Sequence, residues 1–153
     1  MEPTEPQNVK TLLFLCTGNY YRSRLAEILF NWKAKLHDLP WRAISRGFSP
    51  SPIENVGPIS KHTVAALRSL NIPLETEWRD PTLVTEDDLR EADHIIAIKE
   101  DEHRPMMEAM FPEFADSIEY WDVHDLDCAE PEETVELIEL KVSGLIYRLS
   151  GLE

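Results

Sequence analysis

Val9-Lys10-Thr11-Leu12-Leu13-Phe14-Leu15-Cys16-Thr17-Gly18-Asn19-Tyr20-Tyr21-Arg22-Ser23 reads as a strand, a tight loop and the start of a helix. The opening run is short, apolar and rich in strand formers. It has little alternation, as in a strand buried on both faces of a parallel sheet. Beyond Ser23, residues Leu25, Ala26, Leu29, Trp32 and Lys33 recur three and four apart, the spacing of one helix face. Ser23 suits the cap or first turn of that helix.

Outward from this unit the same alternation continues. Residues 41–45 read as a second strand that stops at Arg46-Gly47, followed by a Ser/Pro-rich loop over 48–58. Residues 59–70 read as a helix. Thr85 with Asp88 three residues on is a weaker form of capping box. Residues 94–98 form another buried strand, and 100–110 a helix in which Pro105 must sit in the first turn or interrupt. Residues 117–121 suit a short last strand. Residues 131–149 make a long amphipathic helix with Pro131 in its first turn. Strands alternating with helices predict an α/β fold, a parallel sheet with helices on both faces. Such sheets bind ligands beyond the carboxyl ends of their strands, where Cys16 stands.

The chain has 153 residues, 42% of them hydrophobic and 29% charged, which suits one compact domain. Residues 9–153 are expected to form it, with 1–8 as a flexible polar tail. No apolar run approaches the ~20 residues of a membrane span, and the N-terminus lacks the pattern of a secretory signal. A cytoplasmic protein without membrane attachment is the expectation. Fifteen Lys and Arg face 29 Asp and Glu, a net charge of −14. That argues against nucleic-acid binding, which needs a basic face. Any anion site must collect its positive potential locally, from a few arginines and backbone amides. The two cysteines, Cys16 and Cys128, make no disulfide framework.

The chemistry sits in the loop from Cys16 to Ser23, where five residues separate Cys16 from Arg22. A loop between a strand and a helix N-terminus aims backbone N–H groups at one point and makes an anion cradle. Gly18 permits backbone conformations that other residues resist, and Asn19 tolerates left-handed geometry. Arg22 offers a planar pair of donors to two phosphate oxygens. The positive surroundings favour the thiolate of Cys16, an in-line nucleophile beneath a bound phosphate. Ser23 can donate a hydrogen bond to that thiolate. Read alone, Cys16 would be a small buried residue ending a strand, and Tyr20 and Tyr21 would pack against the following helix.

Cys16, Gly18, Asn19, Arg22 and Ser23 together resemble the active-site loop of the low-molecular-weight protein tyrosine phosphatases and their arsenate reductase relatives, Cys-x-Gly-Asn-x-x-Arg-Ser. The similarity extends coarsely to residues 43–47 and 92–98, which resemble the family's second and third strands. It implies a three-layer α/β/α fold with a central four-stranded parallel sheet, phosphotyrosine phosphatase I-like, and a phosphate loop made of Thr17, Gly18, Asn19, Tyr20, Tyr21, Arg22 and Ser23. It also implies a phosphocysteine intermediate on Cys16, no cofactor, and a phosphorylated protein or small phosphomonoester as substrate. The sequence departs from the pattern at Tyr21, where the family usually has a second Cys, and at Arg24, where it has Pro. Thr17 stands where arginine phosphatases and arsenate reductases of the group often carry Thr.

The family's general acid is an Asp, normally followed by Pro, in the loop before the last helix. In the stretch Trp121-Asp122-Val123-His124-Asp125-Leu126-Asp127-Cys128 the register Trp-x-x-x-Asp selects Asp125, with Leu126 in place of the Pro. Asp122 and Asp127 compete for the role. His124, Asp125, Asp127 and Cys128 are each possible metal ligands, but they crowd into five positions without a second cluster, so no metal is expected. A redox link between Cys128 and Cys16 is a further possibility. His37, His62, His94 and His103 have no clustering partners and read as surface or packing residues, although 102–105 could border the pocket. Two other functions compete with a phosphatase: a thiol-dependent arsenate reductase, and a phosphate-binding module without turnover.

Overall fold

The computed structural model describes residues 9–51, 57–125 and 130–151. The expected tail, residues 1–8, lies outside them, as do Asp127 and Cys128.

Four strands, β1 (Lys10–Cys16), β2 (Trp41–Gly47), β3 (His94–Ala97) and β4 (Glu119–Tyr120), make one parallel sheet in the order β2-β1-β3-β4. Five helices accompany it: α1 (Arg22–Leu36), α2 (Lys61–Ser69), α3 (Glu86–Glu91), α4 (Glu100–Met110) and α5 (Pro131–Leu149). Side chains alternate along β1, so its two faces feed two cores. Leu12 and Phe14 pack with Leu25, Leu29 and Phe30 of α1 and with Ile138, Val142 and Leu145 of α5. Leu13 and Leu15 pack with Leu89 of α3, Met107 of α4 and Phe48. Burial on both faces is why β1 lacks alternation in sequence. The result is the predicted three-layer α/β/α arrangement.

The first crossover places β2 on one side of β1, and the chain then returns to place β3 on the other. The strand order therefore reverses between β1 and β3. That reversal, at the strands' carboxyl ends, is the general ligand position in such sheets, and there the residues after β1 meet those after β3.

Local rules account for the helix ends. Ser60 caps α2 through His62 N at 3.1 Å, so that helix begins at Lys61 rather than at residue 59. Thr85 and Asp88 exchange both hydrogen bonds of a capping box. Pro131 opens α5. Pro105 sits in the sixth position of α4, inside the helix, which runs on without a break. Asp101, whose carbonyl loses its partner there, is exposed, so water can satisfy it. No helix among the described residues is long and apolar enough to cross a membrane.

Candidate active site

β1 ends at Cys16 and α1 begins at Arg22, so residues 17–21 form the whole turn. No side chain caps α1, and its first turn carries no acidic residue. Its N-terminal amides and the positive end of its dipole are thus left to the loop. The left-handed residue in the turn is Asn19, with φ of 52°. Among the described residues the glycines with positive φ are Gly57 and Gly151. The turn therefore takes its left-handed step at Asn19, and Gly18 does not supply it.

The Cys16 sulfur is buried. Ser23 Oγ lies 2.9 Å from Sγ, and Asn19 N donates to Sγ at 3.2 Å. Ser23 is a first-turn residue whose hydroxyl faces the cysteine instead of capping the helix. Asn19 Nδ2 donates to Ser23 Oγ and to Ser45 Oγ, both at 2.9 Å. Asn19 Oδ1 accepts from Thr82 N at 2.9 Å and from Arg79 Nη1 at 3.1 Å. Four bonds satisfy this fully buried amide and fix which way it points. Because Asn19 donates to Ser23, the Ser23 hydrogen is free for a thiolate.

Behind the loop, Ser45 donates to Glu27 Oε1 at 2.5 Å and accepts from Arg79 Nη2 at 3.0 Å. Arg24 is buried and donates to the Pro58 carbonyl at 3.0 Å and the Asn19 carbonyl at 3.4 Å. Burial, helped by the like charge of Arg79, pushes Arg24 down to about 10, so it remains a cation at neutral pH. Gly47, the last residue of β2, touches the loop directly. A Cβ there would lie 2.8 Å from Thr17 O and 2.9 Å from Asn19 N. The absent side chain lets the sheet edge back the turn.

Arg22 is buried, and its guanidinium meets three acceptors. Nη1 donates to Glu102 Oε1 at 3.2 Å and to Val123 O at 3.0 Å, and Nη2 donates to Glu102 Oε2 at 2.9 Å. Asp125 Oδ2 lies 3.6 Å from Nη2, a charge contact beyond hydrogen-bonding distance. Burial works against the Arg22 cation, but Cys16, Glu102 and Asp125 outweigh it and hold the group above its ordinary value.

Glu102 belongs to the first turn of α4. Besides Arg22 it receives the Thr17 hydroxyl and lies 3.2 Å from His103 Nε2. Burial opposes its charge, yet the hydrogen bonds from His103, Arg22 and Thr17 hold its carboxyl well below the usual range. His103 is fully buried. Its Nδ1 accepts from Lys99 N at 3.0 Å, so the ring proton sits on Nε2, which is 3.2 Å from Thr17 Oγ1. Burial pushes His103 below its ordinary value, in keeping with a neutral ring.

The fold thus brings Cys16, Thr17, Asn19, Arg22, Ser23 and Asp125 together at the carboxyl end of β1. Tyr21 is buried with its ring 5.7 Å from His62, so it packs beneath the loop, and burial pushes its phenol up. Tyr20 is half-buried, and its carbonyl accepts from Ser60 N at 3.0 Å. Asp122 is exposed and forms a bridge with Lys99 at the sheet edge. Asp127, the competitor to Asp125 as general acid, and Cys128, the possible redox partner of Cys16, lie outside the described residues, and with them two of the four possible metal ligands. His103, read from sequence as surface or packing, is buried against Thr17. The sequence placed 102–105 at the border of the pocket without giving Glu102 a role, and assigned no role at the loop to Ser45, Glu27 or Arg79. A further signal was Gly47 at a strand end, since it marks a close backbone approach.

A family model described as low molecular weight phosphotyrosine protein phosphatase matches residues 11–151. An arsenate reductase of Brevibacillus brevis is 33% identical over 92 residues, and arsenate reductase 1 of Bacillus cereus is 30% identical over the same length. Each match takes in 60% of this chain and 60% of the relative's own length. Among solved structures, YfkJ from Bacillus subtilis superposes with a TM-score of 0.81 at 26% identity, covering 94% of this chain and 96% of that one. A low molecular weight protein tyrosine phosphatase from T. tengcongensis gives 0.76 at 27%, over 91% and 99%. A mutant of the YwlE arginine phosphatase, its active-site serine phosphorylated, gives 0.77 at 25%, over 94% and 99%.

Proposed function

Because this chain belongs to the low molecular weight phosphotyrosine protein phosphatase family, we propose that it is a cysteine-dependent phosphatase. It hydrolyses phosphomonoesters through a phosphocysteine, with phosphotyrosine or a related phosphorylated side chain as substrate. The observation that carries this reading is the approach of Asp125 Oδ2 to within 3.6 Å of Arg22 Nη2. It brings a carboxyl from the last loop to the phosphate-binding arginine of the first.

In the first step the phosphoryl oxygens lie among the amides of residues 17–23 and the Arg22 guanidinium. The Cys16 thiolate attacks phosphorus, the P–O ester bond breaks, and the Asp125 carboxyl gives its proton to the leaving oxygen. In the second step the Asp125 carboxylate takes a proton from water. That water attacks phosphorus and the P–S bond breaks. Ser23 then donates to the departing thiolate. Charge spreads over the phosphoryl oxygens throughout, so fixed amides and Arg22 act chiefly by electrostatic stabilisation. A reducing compartment such as the cytoplasm suits this thiolate chemistry.

The test is hydrolysis of a chromogenic aryl phosphate by the wild type, Cys16→Ser and Asp125→Ala. Turnover by the wild type, loss in Cys16→Ser and a slower reaction in Asp125→Ala are expected. Full turnover by Cys16→Ser, or none by a wild type that still binds phosphate, overturns the reading. A second reading, arsenate reduction, is favoured by the identity to the two arsenate reductases. Arsenate-dependent thiol oxidation by the purified protein, without aryl phosphate hydrolysis, would establish it instead.

A further inference from the structure

Glu102 and His103 stand 80 or more residues from the phosphate loop in sequence, yet both touch it. We propose that Glu102 is a positioning residue: its carboxylate clasps the end-on edge of Arg22 and turns the other edge of the guanidinium toward the phosphoryl group. This inference rests on the phosphatase reading of the site.

The argument is a donor inventory. A guanidinium carries five N–H groups in two forks, one across Nη1 and Nη2, the other across Nε and Nη2. Glu102 takes the first fork with both oxygens, at 3.2 and 2.9 Å. Val123 O takes the second Nη1 hydrogen at 3.0 Å. Among the described residues no hydrogen bond takes the Nε–H or the second Nη2–H, side by side on one edge, although Asp125 Oδ2 stands 3.6 Å from Nη2. That edge matches two oxygens of a tetrahedral or trigonal-bipyramidal anion. An arginine free to rotate would meet the anion with either fork and lose order on binding. One clasped on its far edge is already oriented, so its contribution to the transition state is preorganised.

Glu102 is held in turn. Lys99 N–H fixes the His103 tautomer at Nδ1, and His103 Nε2–H and the Thr17 hydroxyl both meet Glu102 Oε2. The chain of contacts runs from the start of α4, through a fully buried ring, to the catalytic arginine. It also ties Thr17, the residue after the nucleophile, to the same carboxylate.

The competing view is that Glu102 occupies the anion's place on Arg22 and blocks it. The two are separated by calorimetric binding of orthovanadate, which mimics the five-coordinate transition state, and of inorganic phosphate to the wild type, Glu102→Gln and Glu102→Ala. Gln retains the shape but turns an NH2 toward an arginine N–H, so the bidentate clasp is lost. Positioning predicts that vanadate binds about 10-fold more weakly in Glu102→Gln, with phosphate changed less and the melting temperature held within a few degrees. That factor follows from one charge-assisted hydrogen bond. Glu102→Ala shifts vanadate affinity in the same direction. On aryl phosphate, kcat falls more than KM changes. Vanadate bound equally well or more tightly in Glu102→Gln overturns the proposal. A wild type that binds vanadate without hydrolysing aryl phosphate ends the phosphatase reading and leaves this comparison intact.

Discussion

Ser23 Oγ lies 2.9 Å from the Cys16 sulfur while accepting a hydrogen bond of the same length from Asn19 Nδ2. The amide takes one lone pair of the serine and leaves its hydrogen available to a thiolate at Cys16. Ser23→Ala removes a hydrogen bond to a charged group, about 1.5–3 kcal/mol. Alkylation of Cys16 by iodoacetamide at neutral pH should slow, and kcat for aryl phosphate should fall about 10- to 100-fold. Unchanged alkylation and turnover would show that Ser23 is a packing residue.

Asp125 is judged by leaving-group dependence. General acid catalysis contributes about 10²–10⁴-fold when the leaving oxygen needs a proton. Asp125→Asn should therefore lose most activity on phenyl phosphate and much less on p-nitrophenyl phosphate, whose phenolate leaves unaided. An equal loss on both substrates, or the selective loss appearing in Asp122→Asn, assigns the acid elsewhere.

Gly47 is a steric test of the loop. A methyl group there would meet the backbone of Thr17 and Asn19 at under 3.0 Å. Backbone yields less readily than a side-chain tip, so Gly47→Ala should displace the turn. Overpacking of this kind costs about 1–3 kcal/mol. We expect a lower urea midpoint and weaker phosphate binding together. Wild-type phosphate affinity in Gly47→Ala would mean that the loop adapts at no cost to its geometry.

Acid sensitivity should centre on Glu119. Its carboxylate holds His94 Nε2 at 2.8 Å, Trp121 Nε1 at 2.9 Å and Arg148 Nη2 at 3.2 Å, tying β4 to β3 and α5. The His94 bond lowers the group most; burial opposes, Trp121 and Arg148 assist, and the result is about 2. A depressed folded value stabilises the fold above the unfolded value near 4.5. That stability is lost as pH falls from there toward 2. Glu119→Gln should cost about 1–3 kcal/mol in urea unfolding at pH 7. The gap to wild type should close through this acid window, and a gap unchanged at pH 2 would contradict the linkage.

The loop was legible in sequence because its chemistry is local. Cys16, Asn19, Arg22 and Ser23 lie within one strand-to-helix turn, and their spacing alone brings them together. The fold class was legible for a similar reason. An unalternating β1 implies burial on both faces, and helix periods between strands imply crossovers. Of the two residues read as permissive, Asn19 takes the left-handed step and Gly18 does not, and the Asn19 side-chain amide is held by four partners.

The surroundings of that loop came only with the tertiary structure. Glu102 and His103 follow β3, and the order β2-β1-β3-β4 sets β3 beside β1, so residues about 80 positions away touch the same loop. Arg79 and Ser45 reach Asn19 from the other side, across β2. In sequence these are an ordinary acidic helix start, a lone histidine, a surface arginine and a strand serine. Sequence alone determined that Cys16, Asn19, Arg22 and Ser23 share one strand-to-helix turn, because a short turn leaves little freedom to place them. Which carboxylate grips Arg22, and which amide steadies Ser23, was decided by strand order, because only the sheet brings distant side chains within hydrogen-bonding range.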